Sequence, residues 1–419
     1  MSLAKILSLN SISVLIKMVS LLIVNKMIAV FVGPSGYAAI AQLQNIISMI
    51  QASATAGAGP CVVKYTAEYA NNKKEYNVFL STVFLFCLVL SLVISLALFF
   101  SSNLIAIKYL NNVSYEYYLK VLSLSLFFIV LNTLIMSIIN GKQLSKYFVT
   151  INIISSLISL VYSCILIFFY ELQGALIYVV SGQVLVSTYL IYSVSMTKAV
   201  DLEFLKYRPS IASLKKIGAF SGMVLLPALL WPFTYSLIRS DLTLDLGADY
   251  AGNWDAMWKL STIYLTLITT VLSIYYLPRF SSIVSKKDIF LEIIHGYKLI
   301  LPCLLVLCIC IYSLRTFIVD ILFSNSFSNM LELFYWQLVG DFLKITAWLI
   351  SYTFLAKAMI KTQIFLEIFL CCTFYISSVY FVDSIGFEGV AIAHACNNLV
   401  MLLIVILIFY KKDFKDTLR

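Results

Sequence analysis

Charge is what this sequence has least of. Of its 419 residues only 12% are Asp, Glu, Lys or Arg, about half the share found in a soluble domain. Histidine occurs twice, at His295 and His394, too few and too far apart in sequence to suggest a metal site or a catalytic triad. No G-x-x-x-x-G-K-[ST] loop is present, which excludes ATP hydrolysis by that machinery. No G-x-S-x-G nucleophile turn is present either. The nine cysteines, Cys371 and Cys372 among them, lack paired spacing and read as reduced, buried thiols. Loops on the face opposite the basic one reach only roughly ten to fifteen residues, too short to hold the acceptor and catalytic groups of a membrane glycosyltransferase or polymerase. An enzyme is therefore disfavoured, and the sequence implies no catalytic residues, cofactor or metal.

What is abundant is apolar surface. Hydrophobic residues make up 62% of the chain and the mean hydropathy is +0.97. Apolar runs of about twenty residues cross a bilayer as helices, so the expected fold class is an all-α integral membrane protein. About twelve spans are legible, at roughly 6–32, 37–63, 77–102, 117–140, 147–169, 174–197, 212–240, 250–278, 290–314, 330–358, 361–383 and 386–410. The first run is too long for a cleavable signal peptide and lacks a small-x-small site, so it is expected to remain as a helix. Lys64, Lys73, Lys74, Lys142, Lys146, Lys198, Lys206, Arg208, Lys215, Lys216, Arg279, Lys286, Lys287, Lys357, Lys361, Lys411 and Lys412 fall on one face of this topology, together with Lys5, Lys415 and Arg419. The other face carries Lys108, Lys120, Arg239 and Arg315 and the acidic Asp241, Asp245 and Asp249. The positive-inside rule then places both termini in the cytoplasm. It also accounts for most of the net charge of +9 without a nucleic-acid partner.

The chain repeats. Lys5 and Lys216, Gly33 and Gly247, Gly36 and Gly252, Lys64 and Arg279, and Gly174 and Gly389 recur in order at an offset of about 215 residues. Six spans per repeat is an even number, so the halves are expected to run parallel as two six-helix bundles, 1–200 and 212–410. A basic cytoplasmic linker, 201–211, joins them, and a cytoplasmic tail, 411–419, follows. Two such bundles enclose a central cavity.

Ionisable residues inside spans are costly and face a protein interior or a watery path. The stretch Trp336-Gln337-Leu338-Val339-Gly340-Asp341-Phe342-Leu343-Lys344 puts Gln337, Asp341, Lys344, Trp348 and Ser351 on one helical face. This face is either one side of a structural ion pair or one wall of a polar path. The eighth span carries Asp255, Lys259, Thr262, Thr266, Thr269 and Ser273 within about 40° of one another, a stripe that either glues helices or lines a lumen. The second span carries Gln44, Ser48, Gln51 and Thr55 at helical spacing. The first span holds Lys17, on a face with Asn10, and Lys26 on the opposite face, where it either lines a path or snorkels outward. The seventh span has Pro227, Pro232 and Arg239, the eleventh Glu367, and the twelfth His394, Asn397 and Asn398. Lys17, Lys26, Arg239, Lys259 and Lys344 are thus candidates to bind an anionic group such as a phosphate or diphosphate. Asp255, Asp341 and Glu367 are candidates to balance them or to bind a coupling H+ or Na+. Gln44, Gln51, Thr262, Thr266 and Gln337 are candidate polar lining.

These residues carry a resemblance. The opening Met1-Ser2-Leu3-Ala4-Lys5 with Lys17 and Lys26, Val32-Gly33-Pro34-Ser35-Gly36, Val63-Lys64-Tyr65-Thr66-Ala67-Glu68-Tyr69, Tyr276-Leu277-Pro278-Arg279 and the Trp336–Lys344 block with Ala356-Lys357-Ala358 resemble the Wzx flippases. These are the bacterial O-antigen and enterobacterial-common-antigen translocases of the multidrug/oligosaccharidyl-lipid/polysaccharide exporter superfamily. The likeness runs over nearly the whole chain, and the Trp336–Lys344 block is most like the common-antigen branch. It implies two six-helix bundles in a MATE-like V and an undecaprenyl-diphosphate-linked oligosaccharide as substrate. It further implies movement of that lipid across the bacterial inner membrane by ion-coupled alternating access against a cationic lumen; whether the protein works alone or docks to an O-antigen polymerase and a chain-length regulator is left open by the sequence. By position it carries Lys17 and Lys26 over as family lysines. Multidrug-type small-molecule antiporters share the superfamily and form the alternative reading, though a cationic lumen disfavours their organic cations.

Overall fold

The computed structural model describes residues 3–110, 112–197, 199–283, 285–357 and 359–411. Met1, Ser2, Asn111, Lys198, Val284, Ala358 and residues 412–419, with Lys412, Lys415 and Arg419 of the expected tail, lie outside the described residues. So do the side chains of Lys5, Asn10, Ser273 and Pro278.

The described chain is helical: α1 Leu3–Phe31, α2 Gly33–Thr55, α3 Ala58–Glu68, α4 Lys73–Leu110, α5 Tyr115–Gly141, α6 Ser145–Thr197, α7 Ile211–Asp245, α8 Ala248–Val271, α9 Leu277–Ser282, α10 Lys286–Ser313, α11 Arg315–Leu322, α12 Phe334–Ala356, α13 Ile360–Ile385 and α14 Gly389–Lys411. Each apolar run satisfies its own backbone hydrogen bonds, as a chain in hydrocarbon must. Their apolar side chains, such as Leu92, Phe100, Leu124, Phe169 and Ile376, stay exposed on the outer face, as lipid-facing residues do.

α6 spans 53 residues, about 80 Å if straight, far more than the roughly 30 Å of hydrocarbon. It breaks at Glu171, whose φ of 47° and ψ of −121° are not helical. The Tyr162 and Ser181 hydroxyls then lie 2.9 Å apart across the break, as do those of Tyr147 and Ser193; along one helix the first pair would be about 28 Å apart. α6 is therefore two antiparallel limbs, matching the fifth and sixth expected spans. Among the described residues, α1, the bent pair α2–α3, α4, α5, α6, α10, α12, α13 and α14 are long and apolar enough to cross a membrane, ten crossings with the two limbs of α6 counted separately; α7 and α8 lie where the seventh and eighth of the twelve expected spans fall. The second is bent by 41° between α2 and α3, because Ala56 and Gly57 both take left-handed backbone angles.

The internal repeat is written into the backbone. Gly33 and Gly247, at the first joint of each half, have positive φ. Glu171 and Gly386, at the last joint, do too. A Cβ on Gly174 would overlap the Leu166 carbonyl, and a Cβ on Gly389 would overlap the Phe381 carbonyl in the equivalent place. Lys142 and Lys357, also equivalent, cap the C-termini of α5 and α12. Each turns its ammonium onto a backbone carbonyl, of Ala199 and Ile283, at 3.1 and 2.5 Å. Burial pushes both ammonium groups below the usual lysine range.

The chain divides into two compact units. One comprises Met1–Val32 and Ala39–Pro232, the other Gly33–Ala38 and Phe233–Arg419. The division falls inside α7, between Pro232 and Phe233, and residues 201–211 fold within the first unit. There Leu202–Lys206 forms a 3-10 turn capped by the Asp201 carboxylate. Phe204 packs on Phe84, the Ser81 hydroxyl donates to the Tyr207 carbonyl, and the Ser210 amide donates to the Thr82 hydroxyl. The start of α7 belongs here as well, because Lys216 hydrogen-bonds Tyr69 and lies over the Tyr65 ring. The opening residues of α2 pack in the second unit: Tyr37 meets Phe323 and Phe327 edge-on, and Gly252 lies too close to the Pro34 backbone for any side chain.

Candidate functional site

The second unit gathers charge that the sequence scatters over more than a hundred residues. Asp341 of α12 is wholly buried, and four donors converge on its carboxylate. Ser261 Oγ of α8 donates at 2.5 Å, and Tyr264 OH of α8 donates to the same oxygen. His394 Nε2 of α14 is 3.0 Å from the other oxygen, and Gln337 Nε2 lies 3.5 Å from it. Asn398 Nδ2 approaches His394 Nδ1 at 3.2 Å, so the hydrogen-bond pattern assigns the imidazole proton to Nε2, toward Asp341. Gly340 allows this convergence, since a Cβ there would strike the His394 ring.

Two turns toward the start of α8, Asp255 accepts two bonds from Arg239 of α7, at 2.6 and 2.5 Å. This is the bidentate fork that guanidinium and carboxylate form best, and both side chains are only 6% exposed. Arg239 is therefore neutralised within the unit rather than standing as an open cation.

The two lysines fare differently. Lys259 and Lys344 are half-buried. Among the described residues neither makes an ion pair, although Asp255 and Asp341 lie within a turn of them on the same helices. Arg239 and His394 have already claimed those carboxylates. The Lys344 ammonium rests instead 5.2 Å from the Trp258 ring centroid and 5.0 Å from that of Trp348. Along α12 the expected face splits: Gln337, Asp341 and Ser351 are buried, while Lys344 and Trp348 are partly open. Along α8, Thr262 is exposed and Thr266 and Thr269 are intermediate. Thr262 and Thr266 return their hydroxyls to carbonyls one turn back. Glu367, half-buried on α13, accepts from Gln363 at 3.1 Å.

In the first unit Lys17 is exposed at the wall of a cavity of about 360 Å³ lined also by Asn132, Asn152, Ser156, Tyr178 and Gln183. Lys26 is half-buried and does not line that cavity. Gln44 and Gln51 of α2 are half-buried, their carbonyls accepting from Ser48 and Thr55. Among the described residues no three His, Cys, Asp or Glu side chains gather as a metal site requires. Sequence reasoning missed Trp258, Ser261 and Tyr264. The available signal was their spacing from Asp255, which sets Trp258 and Ser261 on neighbouring turns of α8.

Among the described residues, helices long and apolar enough to cross a membrane, with buried ion pairs at Arg239–Asp255 and Asp341–His394, define a polytopic membrane protein. The fold is that of the MATE transporters. An inward-facing multidrug resistance MATE transporter of the MOP superfamily superposes with a TM-score of 0.79 at 16% identity over 96% of each chain. An outward-facing one superposes with a TM-score of 0.70, over 97% of this chain and 94% of that one. The polysaccharide biosynthesis protein family matches residues 2–284, and the chain belongs to that family. The lipid III flippases of Escherichia coli (strain K12) and Shigella flexneri are each 27% identical over 400 residues, 96% of either chain.

Proposed function

We propose that this protein is a flippase moving an undecaprenyl-diphosphate-linked O-antigen-type oligosaccharide from the cytoplasmic to the periplasmic leaflet of the bacterial inner membrane. One observation carries the reading: Lys259 and Lys344 hold half-buried ammonium groups that, among the described residues, make no ion pair with a carboxylate. Unpaired cations so placed are costly. They are retained where an anionic ligand completes them, and a diphosphate has the charge and the acceptor oxygens to do so. The likeness to the lipid III flippases over nearly the full chain supports the same substrate class. His394, titratable and hydrogen-bonded to the Asp341 carboxylate, is the group best placed to carry a coupling H+. An organic-cation exporter of the multidrug type is disfavoured, because the two lysines would repel its substrate.

The test is a leaflet assay. Proteoliposomes are loaded with an undecaprenyl-diphosphate oligosaccharide, with and without a proton or Na+ gradient, and glycan accessibility from the opposite side is followed. Gradient-accelerated movement that falls at least tenfold in Lys259→Ala and Lys344→Ala supports the reading. Wild-type rates in both variants reject the lysine site. No movement by the wild-type protein, in vesicles that exchange a small cation for protons, rejects the flippase.

A further inference from the structure

The position of Lys344 defines a second role for the site. Its ammonium lies between two indoles, Trp258 from α8 and Trp348 one turn further along α12. Both rings are partly open. Trp258 cannot drift, because Tyr235, Phe374 and His394 pack around it with ring centroids 4.8, 6.1 and 5.0 Å away. Among the described residues the only charged group meeting the Trp348 ring is Lys344. A cation on an aromatic face is held by the ring quadrupole, a weaker hold than a hydrogen-bonded contact with an anionic oxygen. The arrangement is stable only while no better anion is present.

We propose that Trp258 and Trp348 form the sugar-reading platform of this site and that Lys344 covers it until a diphosphate arrives. The inference rests on the flippase reading and names what that reading leaves open, the groups that recognise the glycan. A ring face occupied by an ammonium cannot also stack a sugar. When a lipid diphosphate draws the ammonium onto its oxygens, the two indole faces are uncovered. The apolar C–H face of the first sugar, one bond from the phosphate, is the group within reach to cover them. A diphosphate lipid with no sugar leaves the indoles bare, and a free sugar finds them capped. The site thereby demands both parts of the substrate on one molecule, in that order.

The experiment uses the full chain in detergent with three probes: undecaprenyl diphosphate, undecaprenyl diphosphate carrying N-acetylglucosamine, and free N-acetylglucosamine. Binding is read by tryptophan emission and by a separation assay. The wild-type protein is expected to hold the sugar-bearing lipid about tenfold tighter than the bare one and to ignore the free sugar. Trp348→Leu is expected to keep its affinity for bare undecaprenyl diphosphate and lose the tenfold preference. Lys344→Gln is expected to bind both lipids more weakly yet gain measurable binding of the free sugar, because its platform is uncovered. Trp258→Phe, which keeps a ring in the cluster, guards against misfolding as the cause. Retention of the full preference by both Trp348→Leu and Trp258→Phe overturns the platform, as does a wild-type protein with no preference. If neither lipid binds the wild-type protein, the flippase reading itself fails and this inference falls with it.

Discussion

Glu171 is a side chain where the second half of the repeat has a glycine. Its backbone angles belong to a region that only glycine occupies without strain, and its equivalent, Gly386, has φ of 86°. Glu171→Gly is therefore expected to raise thermal stability by about 1 kcal/mol without changing transport, while Glu171→Ala, which keeps the strain, leaves it unchanged. Unfolding in detergent followed by circular dichroism measures both. The Arg239–Asp255 fork makes the opposite case. Removing one partner strands a buried charge, so Arg239→Ala or Asp255→Ala is expected to cost about 3–5 kcal/mol. The double replacement Arg239→Met with Asp255→Leu should recover most of that loss in the same assay. Asp255, Asp341, Lys259 and Lys344 were legible in the sequence because charge inside an apolar span stands out. Their partners were not. Ser261, Tyr264 and Trp258 are ordinary residues of membrane helices, and only the fold reveals that the donors on α8 converge on a carboxylate of α12. The spacing that sets Asp341 and Lys344 on one face left open an ion pair between helices without naming the partner; His394, which meets Asp341, comes from α14.

At the scale of elements, the spans were legible because each is an apolar run of bilayer length, and the repeat because glycines and basic residues recur at one offset. What pattern reading could not supply was bending. The second span is one hydropathy run but two helices, α2 and α3, turned at Ala56–Gly57, where the change is in backbone angle and not in polarity. Stretch 201–211 read as a linker because it is basic, yet hydrogen bonds to Ser81 and Thr82 of α4 fix it in place. The hairpin joints make a direct prediction. Gly174→Ala and Gly389→Ala each drive a methyl into a backbone carbonyl that cannot move without parting two limbs. Both should sharply reduce the monodisperse protein recovered by size-exclusion chromatography. Gly247→Ala, which meets open space and adds only backbone strain of about 1–3 kcal/mol, should reduce it less.

For the whole molecule, the distribution of lysine and arginine predicts that both ends of the chain face the cytoplasm. A reporter active only in the periplasm should stay silent when fused after Lys411 and become active when fused within Asp245–Asp249. Activity of the terminal fusion would reverse the orientation. The division of the chain into units bears on how the protein is made. The first unit needs the opening of α7, up to Pro232, and the second needs Gly33–Ala38 from the start of α2. Neither is encoded by one uninterrupted stretch. During synthesis the amino-terminal bundle waits unfinished until the seventh helix leaves the ribosome, and the carboxy-terminal bundle is completed by a segment translated long before it. A gene split at 201–211 would yield two incomplete products, so function from separately synthesised halves requires both to be present in the same membrane at once.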